Sequence, residues 1–126
     1  VFVIRFAELY LLAAEADFNL GNSTQAATYL NVIRTRAAKA NKVAEMQITA
    51  SQVTLDFILD ERAREFAGEQ IRWFDLKRSG KLVERVKAHN PNATGIQGFH
   101  VVRPIPRAQM DAVTNPDEFK QNPEYQ

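Results

Sequence analysis

The chain has 126 residues, 45% of them hydrophobic and 25% charged, an ordinary globular composition that excludes an intrinsically disordered segment. Its 16 basic and 15 acidic residues leave a formal net charge of +1. Their signs are interspersed, so neither nucleic acid nor an anionic membrane surface is indicated as a partner. There is no cysteine, which removes disulfides, thiol nucleophiles and thiolate metal sites.

The chain opens on Val1 directly in a helical pattern, without the charged and apolar regions of a signal peptide. No apolar run approaches the ~20 residues that span a bilayer. These features lead to the expectation of a fragment whose absent N-terminal portion carries any export signal or lipid attachment site.

Apolar residues at Ile4, Ala7, Leu11, Ala14 and Phe18 step by three and four, which predicts a helix over Ile4 to Leu20. Leu12 and Leu20 widen the stripe. Gly21 supplies a left-handed cap, and Asn22, Ser23 and Thr24 offer caps for a second helix. That helix is expected over Gln25 to Ala40, with Ala26, Leu30, Ile33, Ala37 and Ala40 on one side. The short connection predicts antiparallel packing, with Ala14 and Ala26 allowing close approach. The pair resembles one tetratricopeptide repeat of ~34 residues. A single repeat cannot bury its own face, so further repeats are expected to precede it.

Asn41 to Ile48 is a weakly patterned connection. Thr49 and Gln52 fit a capping box opening a third helix that runs to Ala67. Gly68 interrupts the pattern. A short helix over Ile71 to Arg78, ended by Gly80, and another over Lys81 to Ala88 follow. Asn90 to Gly98 is turn-rich. Phe99 to Pro106 reads as extended, since Pro104 and Pro106 exclude a regular helix. Arg107 to Ala112 predicts one helical turn, and Asn115 to Gln126 an irregular tail that wraps or frays.

The densest pattern is ILDERAREFAGEQIRWFDLKRSGKL, Ile58 to Leu82. It resembles the SusD/RagB signature, in which E-R-x-x-E-x-x-x-E is followed by x-x-R-W-F-D-L-x-R-x-G. Glu61, Arg62, Glu65 and Glu69 match the first half. Arg72, Trp73, Phe74, Asp75, Leu76, Arg78 and Gly80 match the second. RFAELYLLAAEA (Arg5 to Ala16), LNVIRTRA (Leu30 to Ala37), VRPIPRAQM (Val102 to Met110) and NPDEFKQNPEY (Asn115 to Tyr125) resemble further marks of that family, in its order. Phe6 stands where tyrosine is usual, Gln109 where glutamate is common and Glu124 where glycine is common. Gly68 and Gln70 suggest an altered turn before the R-W-F-D helix.

The resemblance implies an all-α fold over residues 1–126: a tetratricopeptide-like hairpin, further helices and an extended irregular C-terminal segment within a SusD-like α/α superhelix. The chain would be the C-terminal region of a SusD/RagB-like domain, with its natural C-terminus present. The implied function is nutrient capture without catalysis or cofactor. A lipoprotein on the outer surface of the outer membrane would bind glycan or another nutrient and hand it to a SusC-like TonB-dependent transporter. Its lipid anchor would lie in the absent N-terminal part, and ligand-contacting residues outside this fragment. The hairpin alone leaves open a helical-repeat adaptor that binds protein.

Several charges sit beside apolar stripes and need partners, because an unpaired buried charge is costly. Glu8 and Glu15 share a face of the first helix. Arg34, Arg36, Arg62 and Arg72 are their expected partners, arginine being suited by its planar fork. Glu61 and Glu65 invite a glycosidase reading, since paired carboxylates can hydrolyse glycosides. Nearby Arg62 and Arg64 would keep both ionised and leave no general acid. Trp73 and Phe74 could stack on sugar rings, but core packing is the stronger expectation. Glu8, Glu15, Arg34, Arg36, Glu61, Arg62, Glu65, Arg72, Trp73 and Asp75 are therefore expected to form a structural cluster. His89 and His100 read as surface residues and no zinc pattern is present. Tyr10, Tyr29 and Tyr125 read as packing or rim residues.

Overall fold

The computed structural model describes residues 4–125. Among these residues there is no strand, so the class is all-α. The chain divides into two compact units, Val1–Arg72 and Trp73–Gln126. No helix of the described residues is long and apolar enough to cross a membrane.

In the first unit, α1 (Phe6–Asn19) and α2 (Ser23–Ala37) pack against each other. Helix α1 starts two residues later than expected because Arg5 is extended (φ −114°, ψ 154°). It ends where Gly21 adopts φ 82°. The Gly21 N–H donates to the Phe18 carbonyl (3.0 Å) and the Asn22 N–H to the Asp17 carbonyl (2.8 Å). This paired closure satisfies carbonyls that the helix leaves free. Asn22 is the residue before α2, but its side chain donates to Asp17 Oδ1 instead of capping. Helix α2 stops three residues short of Ala40 because Ala38 is extended.

The hairpin buries Ala7, Leu11 and Ala14 against Ala26, Ala27, Leu30 and Ile33. The alanines have no side chain beyond Cβ, so the two backbones approach closely. Ile4, Leu12 and Leu20 do not join this core; all three are exposed, as are Ala37 and Ala40. The buried stripe is thus narrower than the sequence pattern suggests.

The connection contains a single helical turn, α3 (Val43–Met46). Asn31 of α2 secures its end. Its Nδ2 donates to the Ile48 carbonyl and its Oδ1 accepts from the Ile48 N–H, both at 2.9 Å. Arg34 Nε also donates to the Met46 carbonyl at 2.5 Å. Thr49 and Gln52 do form a capping box, but it closes only a 3₁₀ turn over Ala50–Gln52. Val53 is extended, so a second cap is required. Thr54 provides it, accepting from the Phe57 N–H at 3.0 Å to start α4 (Leu55–Glu65). The single third helix expected from the sequence is therefore a 3₁₀ turn followed by an α-helix. Helix α4 lays Ile58 and, beyond its end, Phe66 into the same core. The turn that follows holds both Gly68 (φ 83°) and Gln70 (φ 63°) in the left-handed region.

Helix α5 (Arg72–Arg78) begins at the boundary between the units. In the second unit, its end is closed as α1 is closed. Gly80 takes φ 70°, its N–H reaches the Lys77 carbonyl at 3.1 Å, and the Lys81 N–H reaches Leu76 at 2.9 Å. Helix α6 (Leu82–His89), a 3₁₀ turn over Gly98–Val101 and α7 (Arg107–Ala112) follow. The expected extended segment thus begins at Val102, not Phe99. Leu76 and Leu82 are buried.

Candidate functional site

In the first unit, α1, α2 and α4 bring basic and acidic side chains together along α4. Glu61 is 6% exposed. Its Oε2 accepts from Arg34 Nη1 of α2 and from Arg64 Nη2 one turn away, both at 2.7 Å. Glu65, one helical turn further on, is held by Arg36 of α2 and by Arg5 Nη1 at 3.0 Å.

Arg5 spreads further. Its Nη2 donates to the Glu65 carbonyl (3.1 Å) and to Glu69 Oε1 (2.7 Å), and its Nε reaches Glu69 Oε2 at 3.4 Å. Two guanidinium groups approach the Phe66 ring, Arg5 at 5.0 Å and Arg62 at 5.2 Å from its centre. Such contacts add attraction beyond the ion pairs. Phe57 is likewise approached by Arg34 at 5.4 Å and Arg64 at 5.9 Å.

These contacts shift two ionisations. Burial pushes the Glu65 carboxyl up, but the hydrogen bonds and charges of Arg36 and Arg5 outweigh it, and the group sits below the usual carboxylate range. The bond to Glu69, with a further contribution from Glu65, raises Arg5 above its ordinary value against the opposing effect of burial.

Arg62 is 3% exposed and faces Glu8 of α1 at 3.8 Å. Glu15 is buried on the same helix. Arg72 donates to the Leu59 carbonyl at 2.6 Å and lies 3.8 Å from Asp60. The expected pairing is therefore corrected in detail. Arg34 and Arg36 serve α4, not Glu8 and Glu15. The arginines that hold Glu61 and Glu65 are Arg34, Arg64, Arg36 and Arg5, while Arg62 turns to α1. A side chain on a helix reaches its own neighbours or the facing helix according to rotation, and the linear pattern does not fix which.

A retaining or inverting glycosidase needs one carboxyl able to donate a proton, facing a cleft. Glu65 is held ionised, and Glu61 is buried beneath two guanidinium groups. The arrangement fastens helices together and offers no acid–base pair. Among the described residues no group of three or more His, Asp or Glu side chains is placed to hold a metal ion.

In the second unit, Asp75 is 3% exposed and accepts from Arg78 Nε (3.1 Å) and Nη2 (3.0 Å). Trp73 is half-buried, with the Arg103 guanidinium 4.9 Å from its ring centre. Phe74 is 67% exposed, which corrects the expectation that it fills a core. His100 is half-buried rather than on the surface. It stacks on Phe99 at 4.0 Å, and its Nδ1 accepts from the Gln97 N–H at 2.9 Å. Tyr125 meets Phe99 edge-on at 5.2 Å.

The tail wraps. Gln121 Oε1 accepts from the Ile105 N–H at 2.7 Å while its Nε2 donates to the Ile105 carbonyl at 2.9 Å. Asn122 Nδ2 donates to the Arg103 carbonyl (2.7 Å), and the Tyr125 hydroxyl to the Val102 carbonyl (2.8 Å). Helical periodicity gives no sign of the contacts of Arg5, Asn31, Gln121 and Asn122, although each lies inside a quoted motif. Those motif positions were the available signal.

The chain is 36% identical over 113 residues to SusD-like protein P25 of Formosa agariphila, an alignment covering 86% of this chain and 21% of that protein. It is 35% identical over 89 residues to SusD-like protein P38 of the same organism (67% and 18%) and 31% identical over 134 residues to SusD-like protein P2 (97% and 25%). It thus spans about a fifth to a quarter of the length of these relatives. No solved structure matches. The SusD family model matches residues 1–125, and the chain belongs to the SusD family.

Proposed function

We propose that this chain is the C-terminal region of a non-catalytic nutrient-binding protein, lipid-anchored at the outer surface of the outer membrane. The whole protein captures glycan or oligosaccharide and passes it to a SusC-like TonB-dependent transporter. The observation that carries this reading is that residues of the family's own motifs are engaged in helix-to-helix ion pairs. Arg5, Arg34, Arg36, Glu61, Glu65 and Glu69 meet one another in the first unit, and that engagement favours a scaffold over a reaction centre. Glu8, Glu15, Arg62, Arg72, Trp73 and Asp75 belong to the same structural role in this reading. Ligand contacts then fall elsewhere in the longer protein.

In the same reading α1 and α2 are one tetratricopeptide-like unit of an α/α superhelix, and further repeats of the same polypeptide cover its open side. A depression of about 240 Å³ on that hairpin, lined by Phe6, Leu9, Tyr10, Ala13 and Tyr29, gives the alternative its support. An adaptor that binds protein would use such an apolar face.

A glycan-array screen of the full-length protein, followed by calorimetry and co-purification with the outer-membrane transporter, tests the proposal. Saturable glycan binding without sugar release, together with recovery of the transporter, is expected. Turnover abolished by Glu61→Gln would overturn the binding-only view. Protein capture with no glycan bound would favour the adaptor.

A further inference from the structure

Val102 is extended, and residues 103–105 belong to no helix or strand. Backbone outside helices and sheets still needs hydrogen-bond partners. Here side chains of the tail supply them. Gln121 closes on both backbone groups of Ile105. Asn122 and Tyr125 take the carbonyls of Arg103 and Val102. Pro104 has no N–H to offer. Tyr125 is itself seated against Phe99 and His100. The fastened segment includes Arg103, whose guanidinium covers the indole of Trp73.

We propose that Gln121–Tyr125 is a releasable strap: docked, it holds segment 102–105 in place and Arg103 over Trp73, and its release uncovers the indole. Two features make it releasable. The contacts are side-chain hydrogen bonds on a largely exposed segment, where each one contributes little net stability. Glu124, inside the strap, is held at φ 68°, a conformation costly for any residue with a Cβ. Docking therefore stores strain that undocking relieves.

The test uses the full-length protein, with hydrogen exchange read at Ile105 and hydroxyl-radical labelling read at Trp73, each by peptide mass spectrometry. Asn122→Ala and Gln121→Ala are expected to raise both signals together, by about fivefold per hydrogen bond lost. Glu124→Gly is expected to lower both. Arg103→Ala is expected to raise Trp73 labelling while Ile105 exchange stays slow. Unchanged exchange across α4 serves as the folding control. Tyr125→Phe, which removes a single hydroxyl, replaces any tail variant that fails that control. Rising Ile105 exchange with constant Trp73 labelling would overturn the coupling. Unchanged Ile105 exchange in the tail variants would overturn the strap itself.

Discussion

Arg34 Nη1 stands 2.7 Å from Glu61 Oε2, joining α2 to α4 through side chains that are 14% and 7% exposed. The same arginine uses Nε to hold the Met46 carbonyl. One residue thus fixes both the facing helix and the connection that leads to it.

Arg34→Ala should therefore cost about 1.5–3 kcal/mol, the range for losing a hydrogen bond to a charged group, since Glu61 keeps Arg64 as its second partner. Arg36→Ala removes a side chain that is 56% exposed and should cost ~1 kcal/mol or less. Urea denaturation of the full-length variants checks the contrast. Equal losses would mean that burial does not set the strength of these contacts.

Asn31→Ala should release the end of the α3 connection. It deletes both hydrogen bonds to Ile48, a loss of about 1–3 kcal/mol in total. Hydrogen exchange at Ile48 should rise, while exchange within α1 should not.

Glu65 gives a pH prediction. Its folded carboxyl lies below its ordinary value because Arg36 and Arg5 outweigh burial. Its contribution to stability is therefore fully present above the unfolded value of about 4.3 and is lost as pH falls through the folded value. Between those two points the unfolded chain binds more protons than the folded one, so stability rises with pH. Acid titrations monitored by circular dichroism should show a drop below about pH 4.3 that Glu65→Gln reduces. Arg5 is shifted upward, so its contribution is lost only in strong alkali, as pH rises through its folded value.

Gln70→Gly should stabilise the protein. Gln70 sits at φ 63°, where the left-handed conformation costs ~1–2 kcal/mol for a residue with a Cβ. Glycine removes that strain but adds ~0.4–1 kcal/mol of unfolded-state entropy. A net gain of about 0.5–1 kcal/mol is expected in thermal or chemical melts.

The helices were legible in the sequence where local chemistry decides them. Gly21 and Gly80 mark helix ends because the closing turn there requires a left-handed backbone. Thr49 and Gln52 are legible as a capping box, but nothing in the pattern marks Val53 as extended or Thr54 as the cap of α4. The motif residues were legible as a set, whereas their partners were not. Arg34 and Arg62 both lie on amphipathic helices, and helix rotation alone sends one to α4 and the other to α1. Glu124 was visible as a departure from a common glycine, and its φ of 68° gives the reason for the glycine. The exposure of Phe74 had no local signal, because an R-W-F-D helix does not state which of its rings turns inward.

Arg5 and Glu65 lie 60 positions apart, and this distance bears on kinetics. The α1–α2 hairpin needs only short loops to close, so it can assemble early, whereas the Arg5 contacts must await closure of a long loop. Interactions formed after the barrier hold the native state together without hastening its arrival. Arg5→Ala should accordingly accelerate unfolding in stopped-flow experiments and leave the refolding rate nearly unchanged.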